Sequence, residues 1–422
     1  MNYHKTILKN GLRVITVPME KSPTVTVFVL VEAGSEYEEK EENGLSHFLE
    51  HMCFKGTKRR PNCSDLSQEL DEIGAVYNAF TSNEYTGYYA KAQFDQVDKI
   101  LDIVSDMYLN PILPQAEIEK ERGVIIEEIN MYEDLPQRKV QNVLSDLVYG
   151  DQPAGRTILG PKENINKFNR EDFLNYRAKH YVAEATTLIV AGNFSETKIL
   201  AYIKKVFKNI PKTSKVKKTP VKEEQVKPAV SLFKKDTDQA HLVLGLRTMN
   251  IYDARNRIMN VLLGVLDAGM SSRLFKKLRD EMGVCYYVGA YHDAATDHGL
   301  FQINSGVAAK RIKEVIVVIL DELRRLKLEL ISPEELTRTK NNLIGTMYLG
   351  LETSNSLANF YGYQEIMRED IKTPEQIKAE IESVTAEEIK NLAIELFVTE
   401  NLNLAIVGQF EDKHEFEDIL KI

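Results

Sequence analysis

Two histidines and a glutamate fall within five positions of the stretch GLSHFLEHMCFKGT (44–57), as His47, Glu50 and His51. On a helix, residues three and four apart share one face, so these three side chains would point the same way. Two imidazoles one turn apart suit a single zinc ion, and the carboxylate between them can hold a water against it. The order His-x-x-Glu-His is an inverted zincin motif, and its chemistry would be metal-assisted hydrolysis. Composition alone would produce the pattern in roughly one or two chains per hundred of this kind, so a third ligand must be found.

The stretch QAEIEKERGVIIEEINMYE (115–133) offers one. It reads as a helix opened after Pro114 and continued through Gly123, with Ile118, Ile125 and Ile129 as its buried stripe. At about 100° per residue, Glu121 and Glu128 lie on one flank of that stripe and Glu127 on the opposite face. The geometry prefers Glu128 as the third ligand, with Glu121, two turns earlier, as a supporting group. Taken alone, such a helix reads more simply as carrying three solvated acids; beside His-x-x-Glu-His the balance reverses. Cys53, two residues after His51, reads as a small buried hydrophobe. His4, His180, His292, His298 and His414 lack a paired ligand at helical spacing and read as surface or packing residues. His241 begins a strand in QAHLVLGLR.

The elements that must position these groups come in two sets. Asn10-Gly11 marks a hairpin between TIL and LRVITV, and the β-rich run TVTVFVLVEAGS follows. Asn78 to Phe94 alternates as one or two strands. An internal repeat appears at an offset of 216 residues: Asn169–Tyr181 matches Thr385–Phe397 as a capped helix, and Leu188–Phe194 matches Leu404–Phe410 as a strand ending at glycine. The expected fold is α+β, with two duplicated domains, each a mostly antiparallel sheet packed with helices. The expected boundaries are 1–211 for a catalytic zinc-binding domain, 212–228 for a linker, and 229–422 for a pseudo-repeat without zinc ligands. The second copy has only the largely apolar NRIMNVLLGVLDAG where the motif would fall, which assigns the chemistry to the first half.

The bulk properties exclude several classes. The chain has 422 residues, 43% hydrophobic and 28% charged, as in a soluble globular protein. A net charge of -9 argues against nucleic acid as a partner. The basic stretch 212–228 also contains acids and prolines and reads as a solvated linker. No run approaches the roughly 18 apolar residues of a membrane span. The N-terminus lacks the pattern of a signal or transit peptide, and three cysteines make no disulfide framework, so a cytoplasmic location is expected.

Over nearly its whole length the chain resembles the pitrilysin/insulinase family of zinc peptidases, in particular the short two-domain branch related to the mitochondrial processing peptidase. NGLRVI, GLSHFLEHMCFKGT, NAFTSNEYTGYY, ERGVIIEEI and GMSSRLFKKLRDEMGVCYYV resemble family blocks in the family's order. The resemblance implies one Zn2+ per chain on His47, His51 and Glu128, with Glu50 as catalytic base and Glu121 in support. It implies that Asn78 and Ala79, on an edge strand, hold substrate backbone, and that Arg279 and Tyr286 bind substrate and stabilise the oxyanion. The implied substrates are peptides or unfolded polypeptide segments, enclosed in a chamber. Because four-domain relatives supply zinc and the Arg/Tyr pair from different halves, a two-domain chain is expected to form a homodimer with composite active sites. The alternative is a non-catalytic structural or presequence-binding subunit, as some relatives have become.

Overall fold

Asn10 and Gly11 turn the chain between β1 (His4–Ile7) and β2 (Arg13–Pro18), which pair antiparallel. Leu8 N donates to Leu12 O at 2.9 Å and extends the pairing by one position, so the turn proper is the three residues 9–11 rather than the two that Asn-Gly favours. Gly11 N donates to Leu8 O at 2.9 Å, and Gly11 takes the left-handed φ of +94° that closes such a turn.

The structure is a computed structural model and describes residues 2–368 and 370–422. The first sheet contains β3 (Thr24–Val31), β4 (Val76–Thr81), β5 (Thr86–Gln93) and β6 (Thr186–Gly192), in the order β1-β2-β6-β3-β5-β4. The second contains β7 (Ala229–Lys234), β8 (Gln239–Thr248), β9 (Cys285–Ala294), β10 (Gly299–Ala308) and β11 (Leu402–Gly408), in the order β7-β11-β8-β10-β9. Each sheet is antiparallel except for one parallel pair, β2 with β6 and β7 with β11. The 216-residue offset relates β2 to β7 and β6 to β11, so the internal repeat is a repeated sheet. It also relates the helices Arg170–His180 and Ala386–Leu396, and both are closed by capping boxes. Asn169 Oδ1 accepts from Glu171 N and Thr385 Oγ1 from Glu388 N, while Asp172 and Glu388 reach back to the cap amides.

The domain boundaries need correction. The chain forms two compact units, and both are discontinuous. One comprises Met1–Ile129, Arg156–Thr219 and Gly350–Thr373; the other comprises Asn130–Gly155, Pro220–Leu349 and Pro374–Ile422. Each sheet is therefore completed by a helix from the other half of the sequence. In the first unit, helix Ser354–Arg368 covers the sheet face opposite the motif helix. Its Ser354 hydroxyl meets those of Thr24 and Thr26 at 3.0 and 2.9 Å. Gly362 brings its backbone against Leu30 and Ile189, where a Cβ would lie 3.0 Å from each. In the second unit, helix Pro136–Tyr149 packs Val140, Leu144 and Val148 on Val243, Leu300, Ala405 and Val407, with Leu144 seated over Gly245. Central strands buried on both faces need a layer on each side, and β3, β6, β8 and β11 are buried along almost their whole length.

The stretch 212–228 has no regular structure, but it is not simply solvated. Lys218 is buried between Glu36 and Glu84, at 2.5 and 2.6 Å, and Lys215 reaches Glu32 at 2.8 Å.

Candidate metal centre

The motif helix spans Leu45–Cys53. Leu45, Phe48, Leu49, Met52 and Cys53 sink into the core of the first unit, and His47 and Glu50 are buried as well. Its entry is tightly specified. Gly44 has φ +101°, and a Cβ there would lie 2.6 Å from Leu159 O. The buried Glu38 carboxylate closes the helix N-terminus, accepting from Gly44 N at 2.8 Å, Ser46 N at 2.6 Å and Asn43 Nδ2 at 3.0 Å, and also from the Ser46 hydroxyl. Its oxygens satisfy amides that have no partner within the helix; burial raises its pKa to about 7, partly offset by the bonds from Ser46, Asn43 and Gly44.

The second helix spans Gln115–Asp134 and buries Ile118, Glu121, Ile125 and Ile129, leaving Glu127 exposed. It brings Glu128 to the motif helix. Glu128 Oε2 lies 3.6 Å from His47 Nε2 and 3.7 Å from His51 Nε2, and the three donor atoms all lie within 4.8 Å of one another. These separations are too long for hydrogen bonds. They are close to the roughly 3.4 Å expected between neighbouring donors arranged tetrahedrally at about 2.0–2.1 Å from zinc. Two imidazoles and one carboxylate are also a donor set that zinc takes in sites retaining an open position.

The surroundings order this set. His51 Nδ1 is 2.9 Å from Glu121 Oε1, which leaves Nε2 to face Glu128, and Lys55 Nζ holds the other Glu121 oxygen at 2.5 Å. Carboxylate partners of this kind fix the ring and raise its basicity. Burial raises the Glu121 pKa, but the bonds from His51 and Lys55 outweigh it and the net shift is downward. Burial, with His51 alongside, lowers His47 to about 3, so its ring is neutral and has a lone pair to give. Burial also disfavours charge on His51, but Glu121, Glu50 and Glu128 reverse that and raise its pKa. Protons therefore compete with a metal at His51, and acid should release it. His47 Nδ1 is buried without a hydrogen-bond partner among the described residues.

Glu50 Oε2 accepts from Thr81 Oγ1 at 2.7 Å. Burial pushes the Glu50 pKa up, partly offset by Thr81 and His51. Thr81 belongs to β4, the sheet edge that also carries the exposed Asn78 and the buried Ala79, whose amide is closed by the Asn78 side chain at 2.9 Å. Arg279 lies in the π-helical turn Phe275–Glu281 of the second unit and donates to Tyr286 O, on edge strand β9, at 2.9 Å. The guanidinium carbon lies 5.8 Å from the centre of the Tyr286 ring, and Tyr286 is 75% exposed. His241 Nδ1 lies 2.9 Å from the Tyr287 hydroxyl, within the second unit.

Two family models match the chain, insulinase (peptidase family M16) over residues 13–162 and the peptidase M16 inactive domain over 167–343. An uncharacterized zinc protease of Bacillus subtilis, YmxG, is 36% identical over 403 residues, covering 95% of this chain and 97% of its own. The chain belongs to the M16 insulinase family. An uncharacterized zinc protease of Rickettsia felis is 33% identical over 408 residues, covering 96% of this chain and 98% of its own. Among solved structures, a protease from Helicobacter pylori shares the fold with a TM-score of 0.89 at 22% identity, covering 96% of this chain and 99% of that one. The zinc motif and Glu128 lie inside the first M16 match. No helix among the described residues is long and apolar enough to cross a membrane.

Glu121→Gln should keep the helix and its packing but weaken the hold on His51. Zinc affinity is expected to fall about 10–100-fold, read by competition with a chromophoric chelator. Unchanged affinity would make Glu121 a bystander.

Proposed function

We propose that the chain is a zinc-dependent metalloendopeptidase acting on peptides or unfolded polypeptide segments. The observation that supports this most strongly is the convergence of His47, His51 and Glu128 beside the buried Glu50. The three donors would hold one zinc ion per chain. Zinc so held supplies a Lewis acid that polarises the scissile carbonyl and makes water a stronger nucleophile near neutral pH. Glu50 takes a proton from the attacking water and returns it to the leaving amine as the C–N bond breaks. Glu121 keeps the His51 ring oriented throughout. The edge of β4 at Asn78 and Ala79 receives an extended substrate by main-chain pairing, which reads backbone rather than side chains. Oligopeptides are therefore cut and compact folded proteins are not.

Arg279 and Tyr286 complete the reading as donors to the developing oxyanion. In this proposal two chains form a homodimer, and the zinc site of one faces Arg279 and Tyr286 of the other. Complementation tests it. Glu50→Gln and Tyr286→Phe homodimers should each be severely impaired. After subunit exchange, half of the dimers are mixed and each rebuilds one intact site, so activity should return to roughly a quarter of wild type. Verified exchange with no recovery would place the pair within its own chain or outside the reaction.

A further inference from the structure

Thr81 closes β4, an edge strand of the first sheet, and its hydroxyl makes the one hydrogen bond to the Glu50 carboxylate found among the described residues. The donor thus comes from the strand beside the motif helix and not from the helix itself. Its place is fixed from several directions. Phe80 points to the other face of the sheet and packs edge-on to Phe28 at 5.9 Å and to Tyr85 at 5.7 Å. Ser82 N donates to Tyr85 O at 2.8 Å and closes the β4–β5 turn. That turn is gripped from outside by Ser35 N to Ser82 O at 3.3 Å and Glu36 N to Asn83 O at 2.8 Å. Gly34 permits the approach, since a Cβ there would lie 2.3 Å from Ser82 O. A β-branched side chain on so fixed a backbone has little χ1 freedom.

A glutamate side chain left to itself samples several rotamers, and a general base works only when its oxygen lies within about 2.6–3.2 Å of the atom that carries the proton it takes. We propose that Thr81 is a positioning residue for the reaction: its hydroxyl pins one oxygen of Glu50, leaves the other to accept the proton of the attacking water, and ties the base to the strand on which an extended substrate pairs. This rests on the peptidase reading. Thr81 is hydrogen-bonded to the base and to no metal donor, so its loss acts on the chemical step rather than on metal retention. A base displaced by about 1 Å loses on the order of a hundredfold in rate.

The test compares Thr81→Val, which keeps shape and branching without the hydroxyl, with Thr81→Ser, which keeps the hydroxyl. Both are measured in the full chain with zinc content verified, on an unstructured peptide that wild type cleaves. For Thr81→Val, kcat is expected to fall about 10–100-fold, the loss of one hydrogen bond to a charged group, with KM within about twofold and zinc content unchanged. Thr81→Ser is expected to stay within about threefold of wild type in kcat. Should Thr81→Val fold poorly or lose zinc, Thr81→Ala takes its place against Thr81→Ser, with the same kcat gap expected. Wild-type kcat in a folded, zinc-loaded variant lacking the hydroxyl overturns the proposal, as does a serine variant no better than the valine or alanine one. A zinc-loaded wild type that cleaves nothing overturns the peptidase reading instead, a result the wild-type arm reports separately.

Discussion

Glu50→Gln is expected to keep zinc and lose turnover. Glutamine has nearly the same shape and can still accept from Thr81, so the helix, the three metal donors and the strand contact should persist. It cannot take a proton from water. Loss of a positioned general base costs about 10²–10⁴-fold in rate, and in the proposed reaction the same group also returns the proton to the leaving amine. Zinc content and kcat on an unstructured peptide should therefore separate completely: metal as in wild type, and kcat lower by at least about a hundredfold. Wild-type kcat in this variant would show that another group does the proton work.

The metal donors predict the opposite combination. His51→Ala removes one of three donors and leaves Glu121 with Lys55 as its remaining close partner. Glu128→Ala removes the carboxylate that both Nε2 atoms face. Both variants should emerge from dialysis against a mild chelator with almost no zinc and no measurable turnover, while wild type keeps about one ion per chain. Glu127→Ala is the control on the same helix. Glu127 is exposed and on the other flank, so its loss should change neither quantity. A Glu128→Ala chain that binds zinc as tightly as wild type would mean that the third donor lies elsewhere.

The parts of this site legible in the sequence are those governed by one helix's own period. His47, Glu50 and His51 are three and four apart, and Glu121 and Glu128 are separated by two turns and referenced to a stripe of isoleucines. The fixed 216-residue offset made the repeated sheet legible for the same reason: strand and helix recur in register. What the sequence hid was set between elements. Thr81, Lys55 and Glu38 each meet the motif helix or its partners from a strand, a loop or a turn, and no periodicity marks a residue for that. The exchanged helices were hidden by the same cause. Ser354–Arg368 carries glycine and serine where it meets the first sheet, and Leu144 finds its seat over a glycine about a hundred residues away. Nothing local distinguishes such a helix from one that packs within its own half, whereas the basic linker conspicuously marks only one of the passages between the units, at 219/220.

Zinc-dependent peptidase activity is tested most directly by hydrolysis of an unstructured polypeptide by the wild-type chain, its zinc content first measured, with products identified by mass spectrometry. About one zinc per chain is expected, with internal amide cleavages that vanish with a chelator and return when zinc is restored. A chain that holds its zinc and yields no cleavage across a broad peptide library would contradict the peptidase reading, and would make the domain a binding or structural subunit built on a peptidase fold.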